Sequence, residues 1–110
     1  MDALGLMRSR YAAYSLKLAD YIMDTTHASN PSYDKNRDKW KEDILQFCRD
    51  TKFEGLQIVE FTEGLENAYV TFTAILKNGN RDISFTEKSR FVKENDRWLY
   101  HSGTITQKKG

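Results

Sequence analysis

The pair Asn78-Gly79 stands between two runs in which apolar and polar residues alternate, Ala68 to Leu76 and Ile83 to Lys93. A two-residue type I′ hairpin loop needs positive φ at both central positions, and Asn-Gly satisfies that need well. With Asn78-Gly79 as the loop, Ala74 faces Ile83, Phe72 faces Phe85 and Val70 faces Glu87. The reverse face pairs Thr73 with Ser84, Thr71 with Thr86 and Tyr69 with Lys88. One face is apolar and the other polar, so the sheet is covered on one side only.

The cover comes from the N-terminal half. From about Asp2 to about Thr25, the residues Ala3, Met7, Tyr11, Tyr14, Leu18, Tyr21 and Ile22 recur at steps of three or four, which predicts one amphipathic helix with Asp2 at its N-cap. The run TTHASNPSYD, with the single proline Pro31, predicts a loop. A second helix is expected from about Lys35 to about Asp50, with Trp40, Ile44, Phe47 and Cys48 as its apolar stripe. The period then changes to two. Strands are expected over Leu56 to Phe61, Ala68 to Leu76, Ile83 to Lys93 and Arg97 to about Ile105, with a frayed tail after them. Two helices followed by an antiparallel meander of about four strands predict a single α+β domain over residues 1–110, the sheet curling around the helices.

Glu87 interrupts the apolar face, in line with Ile83, Phe85 and Phe91. A carboxylate placed there must be paired, hydrogen-bonded or neutralised, because burying an unpaired charge costs several kcal/mol or more. Arg8 and Arg10 are expected to flank the stripe of the first helix, where either guanidinium would meet Glu87 through two parallel hydrogen bonds. Ser89 shares the strand face and would complete a small polar cluster. Two readings stay open: an arginine that locks helix to sheet through Glu87, or a Glu87 at the bottom of a pocket as general base or ligand anchor. Tyr14, Tyr69, Trp98 and Tyr100 either pack or line the same cavity.

Composition narrows the functional classes. Seventeen basic residues stand against 16 acidic ones, which lacks the basic excess of a nucleic-acid binder. Cys48 is the lone cysteine, so no intramolecular disulfide forms and a reducing, cytoplasmic setting is expected. The N-terminus does not read as a secretory signal, and no run approaches the ~20 apolar residues of a membrane span. His27, His101 and Cys48 are too few and wrongly spaced for a zinc site, so neither metal nor cofactor is expected. No serine elbow, P-loop or dinucleotide fingerprint occurs.

The string ALGLMRSRYAAY at Ala3 to Tyr14, with FTEKSRF and RWLYHSG late in the chain, resembles the central domain of the YchJ-like family. The positions that carry the resemblance are Met7, Arg8, Ser9, Arg10, Tyr11, Ala13 and Tyr14, then Glu87, Ser89, Arg90 and Phe91, then Arg97, Trp98, Leu99, Tyr100 and Gly103. Thr26 to Gly64 matches only loosely. Such domains look like members of the nuclear transport factor 2-like superfamily, which implies a cone in which a curved sheet wraps helices around a cavity. Family members commonly carry cysteine-rich SEC-C zinc modules outside this domain. With one cysteine the chain holds none, so a stand-alone central domain or an excised fragment is expected.

The resemblance and the residues together lead to a small bacterial-type domain that binds a small ligand or a protein partner, with Arg8, Arg10, Tyr14, Glu87, Ser89 and Tyr100 as its polar cluster. Dimerisation through the exposed sheet face of Tyr69, Thr71 and Thr73 is common in the superfamily and fits here. An isomerase- or dehydratase-like enzyme, with Glu87 as acid or base and Tyr14 as hydrogen-bond donor, is the alternative. A third is an accessory domain that positions the zinc modules of longer relatives.

Overall fold

A computed structural model describes residues 1–108. Three helices, α1 (Ala3–Ser15), α2 (Ala19–Asp24) and α3 (Arg37–Asp50), precede five strands. The strands are β1 (Lys52–Glu63), β2 (Asn67–Asn78), β3 (Arg81–Asp82), β4 (Phe85–Glu94) and β5 (Arg97–Lys108). The sheet is an antiparallel meander in the order β1-β2-β4-β5, with the two-residue β3 paired to the end of β2. This is the expected α+β order of helices followed by a curved antiparallel sheet. No helix among the described residues is long and apolar enough to cross a membrane.

The expected first helix is two helices. The amides of Lys17 and Leu18 donate to the carbonyls of Tyr14 and Ala13, at 3.2 and 2.8 Å, and Lys17 takes φ 61°. That is a Schellman ending with a lysine where glycine is usual, and it redirects the chain so that Leu18 is half exposed. At the other end, Asp2 caps α1 as expected, its Oδ1 accepting from the amide of Gly5 at 2.7 Å. The buried stripe of α1 is Ala3, Leu6, Met7, Arg10 and Ala13. Arg10 therefore lies within the buried face instead of flanking it, while Arg8 points to solvent.

The hairpin register also differs. Asn78 pairs with Arg81, so the loop is Gly79-Asn80. Only Gly79 of these two has positive φ, at 60°, the requirement of a II′ loop with glycine first. Opposite residues are therefore Ala74 and Phe85, Phe72 and Glu87, Val70 and Ser89. The slip of two positions leaves the side chains of β2 and β4 on their expected faces, since the side-chain period is two; Ser84, expected on the polar face, lies between β3 and β4 and is buried, its hydroxyl accepting from the Leu76 amide at 3.0 Å. Ala68, Val70, Phe72, Ala74 and Leu76 are all buried, whereas Tyr69 stands on the outer face with Thr71 and Thr73. A type I′ loop does occur, at Asn95 and Asp96 with φ 51° and 63°, between β4 and β5.

Strands β1 and β5 are longer than expected, starting at Lys52 and running to Lys108, and each absorbs two bulges. Opposite β2, strand β1 carries the extra residues Glu54 and Val59. Opposite β4, strand β5 carries His101 and Thr106. Extra length on the two outer strands bends a sheet, and here the bend wraps it around α1. The Tyr11 hydroxyl pins α1 to the first bulge of β1, donating to the Gly55 carbonyl at 2.7 Å and accepting from the Gly55 amide at 3.1 Å. Backbone bonds between Thr25 and Tyr100, and between Tyr100 and His27, each 2.8 Å, tie the end of α2 to β5.

The left-handed Lys17 gives a direct test of the helix ending. Lys17→Gly removes the Cβ clash of that conformation and is expected to raise unfolding stability by about 0.5–1 kcal/mol in urea melts. A loss of stability would contradict the Schellman geometry.

Candidate functional site

The helices do not fill the cone. A cavity of about 650 Å³ remains between the concave face of the sheet, α1 and α3. That is within the ~300–1,000 Å³ of small-molecule sites. Phe72, Phe85 and Phe91 line it from the sheet, Met7 and Tyr11 from α1, and Trp40, Ile44 and Phe47 from α3. The loop between α2 and α3 contributes Pro31 to Asp34 at the rim, where the ring of Tyr33 lies 4.9 Å from that of Trp40. Phe47, expected in the buried stripe of α3, is 41% exposed because it sits on this rim.

Five of the six residues singled out in the sequence border this cavity: Arg10, Tyr14, Glu87, Ser89 and Tyr100. Arg8 does not, because it lies on the solvent side of α1. The expected arginine–glutamate ion pair does not form either. The Oε2 atom of Glu87 instead accepts from the hydroxyls of Ser89 and Tyr100, the latter at 3.0 Å. Arg10 Nη1 donates to the Ile22 carbonyl at 3.0 Å and to the hydroxyl oxygens of Thr25 and Thr26 at 2.7 and 3.1 Å. The two halves of the cluster meet on one ring. The guanidinium lies over the face of Tyr100, 4.7 Å from its centroid, while the Tyr100 hydroxyl holds Glu87.

Burial governs the titration of these groups. It pulls Arg10 below its ordinary value, opposed by Tyr14, Tyr100 and Glu87; a guanidinium nevertheless stays charged. Burial pushes Tyr14 up. Tyr100 is pushed well above the usual phenol range by burial first, then by the charge of Glu87 and the hydrogen bond to it.

Gly103 makes this packing feasible, and alternation alone hides it. Tyr100 faces Phe91 and Gly103 faces Ser89, with the bulge at His101 between them. The bulge puts Tyr100 and Gly103 on the same concave face, although three residues apart they would fall on opposite faces of a regular strand. A Cβ on Gly103 would collide with the Glu87 carboxylate and come within 2.6 Å of the Tyr100 hydroxyl. The available signal was a glycine inside a strand, which marks a close approach. The rim loop had no comparable signal.

Two outcomes follow for the cluster. Gly103→Ala is expected to displace Glu87 and Tyr100 and to cost roughly 1–3 kcal/mol in urea unfolding, the range for overpacking. Alkaline pH is expected to destabilise the fold through Tyr100. Its folded value is raised, so its contribution is complete below the unfolded value of ~10 and is lost as pH rises from there. Melting temperatures between pH 9 and 11.5 should fall less steeply for Tyr100→Phe than for the parent, and equal slopes would refute the assignment.

Comparison with known proteins agrees with this architecture. The family profile described as YchJ, middle NTF2-like domain, matches residues 2–103. A UPF0225 protein of Enterobacter sp. (strain 638) is 33% identical over 108 residues, covering 96% of this chain and 68% of that protein. A UPF0225 protein of Polaromonas naphthalenivorans (strain CJ2) is 36% identical over 103 residues, covering 93% and 68%. The solution structure of a SEC-C motif containing protein from Rhodopseudomonas palustris superposes with a TM-score of 0.77 at 33% identity, covering 93% of this chain and 77% of that one. The sequence resemblance to the YchJ-like family therefore holds across the length of the fold, and the chain belongs to the family of YchJ middle NTF2-like domains.

Proposed function

We propose that this domain is a small-ligand-binding module whose ligand enters the cone and is oriented by the polar floor of Glu87, Tyr100, Tyr14 and Arg10. The observation that carries this reading is a cavity of about 650 Å³ with aromatic walls and a carboxylate on its floor. In a domain evolved only for packing, the space beside Glu87 would be filled by larger side chains; here the small Ala74 borders the cavity on the sheet side. Apolar walls supply the driving force for a ligand, and a few fixed polar groups supply its orientation.

An acid–base enzyme would use the same carboxylate, and the floor offers it little help. Both hydroxyl donors already occupy Glu87 Oε2, Arg10 remains charged, and burial holds Tyr14 and Tyr100 protonated. Binding needs none of these groups to titrate.

The neutral probe N-phenyl-1-naphthylamine tests the reading. It should gain fluorescence with the folded protein and raise its melting temperature, as any ligand of the native state does. Amide shifts should concentrate at Phe72, Phe85, Phe91 and the α3 rim. Shifts confined to the outer sheet face, or an absence of binding, would exclude the cavity as a ligand site.

A further inference from the structure

Four atoms on three side chains of the cavity floor have hydrogen-bonding capacity that the protein does not use. Arg10 is 8% exposed, and all its hydrogen bonds leave from Nη1. Among the described residues, Nε and Nη2 meet no acceptor, and neither is sealed from solvent. Arg10 borders the cavity, so that is where this edge opens. Nε and Nη2 together form the side of a guanidinium that holds a carboxylate through two parallel bonds. Glu87 is similar: both donors reach Oε2, which leaves Oε1 as an open acceptor. The Tyr14 hydroxyl also borders the cavity with no partner among the described residues.

The two charged groups are of opposite sign, Arg10 over the face of the Tyr100 ring and Glu87 at its hydroxyl. A simple carboxylate entering the floor would find Arg10 but would also meet the like charge of Glu87. A simple amine would find Glu87 but would meet Arg10. A carboxylate with a hydrogen-bond donor on the adjacent carbon reaches both groups, and where that donor is an ammonium the floor also stays neutral, which matters because an unmatched charge in an apolar cavity is costly.

We propose that the cavity binds a carboxylic acid that carries an amino or hydroxyl group on the adjacent carbon and an apolar or aromatic tail. The carboxylate lies on Arg10 Nε and Nη2 with the Tyr14 hydroxyl as a third donor. The adjacent amino or hydroxyl group donates to Glu87 Oε1. The tail packs against Phe72, Phe85 and Phe91. This assignment rests on the ligand-binding reading of the cone and adds the chemistry of the head group.

The test compares four probes by calorimetry and amide-shift titration: L-phenylalanine, L-phenyllactate, 3-phenylpropionate and 2-phenylethylamine. The first two carry both groups, the third lacks the adjacent donor and the fourth lacks the carboxylate. At least one of the first two is expected to bind about tenfold or more tighter than either single-group probe, because each of those leaves one buried floor group unmatched. Glu87→Gln should erase the advantage over 3-phenylpropionate. Tyr14→Phe, which removes a hydroxyl that makes no hydrogen bond within the described residues, should weaken the carboxylates and spare the amine. Arg10→Lys serves only if its amide spectrum stays native, because Nη1 also holds the end of α2. Equal affinities, tighter binding of a single-group probe, or no binding of the four while N-phenyl-1-naphthylamine still binds would overturn the head-group assignment alone. Failure of N-phenyl-1-naphthylamine as well would overturn the ligand-binding reading with it.

Discussion

A guanidinium removed from water needs partners, and those of Arg10 come from elements far apart in the chain. One edge is taken by the Ile22 carbonyl and the hydroxyls of Thr25 and Thr26, at the end of α2. One face is taken by the ring of Tyr100 on β5. Cation–π contact of this kind is worth more when desolvated, about 2 kcal/mol. Because those partners come from two separate elements, Arg10 joins α1 both to the end of α2 and to β5. The Schellman ending at Lys17 and the backbone bonds from Thr25 and His27 to Tyr100 are the local means by which that happens.

Glu87 depends on this arrangement indirectly. The phenol that supports Arg10 with its face holds the carboxylate with its hydroxyl, so the two charges are coupled through one ring without touching. An ion pair would have closed the floor with direct bonds between helix and sheet. The observed arrangement leaves one edge of each charged group facing the cavity. Gly103 is the steric condition for it, since the carboxylate and the phenol hydroxyl occupy the space a side chain would need.

Much of this was legible in the residues, for identifiable reasons. The alternation in β2 placed Val70 and Phe72 inward, and the same period on β4 placed Glu87 with them. The two-position slip of the hairpin did not matter for that conclusion, because faces repeat every two residues. Composition and turn chemistry were enough for helices followed by an antiparallel meander. The helix break was hidden because Lys17 fills a position that glycine usually marks. In sequence Arg10 reads as flanking the apolar stripe only because a polar residue inside a helix face resembles an edge, and nothing local announces that Thr25 and Thr26 will bind it. The relation of Tyr100 to Gly103 depends on a bulge, which alternation cannot reveal.

The same bulges have a consequence for how the molecule behaves among its own copies. Strands β1 and β5 are the two borders of an open sheet, each 12 residues long. A flat border of that length would offer a row of free amides and carbonyls to any neighbouring chain. The extra residues at Glu54, Val59, His101 and Thr106 interrupt each row twice. Lys52, Glu60 and Glu63 on one border and Arg97 and Lys108 on the other add charge where a foreign strand would dock. The irregularities that curve the sheet around its cavity thus also break up the borders along which a foreign strand would pair.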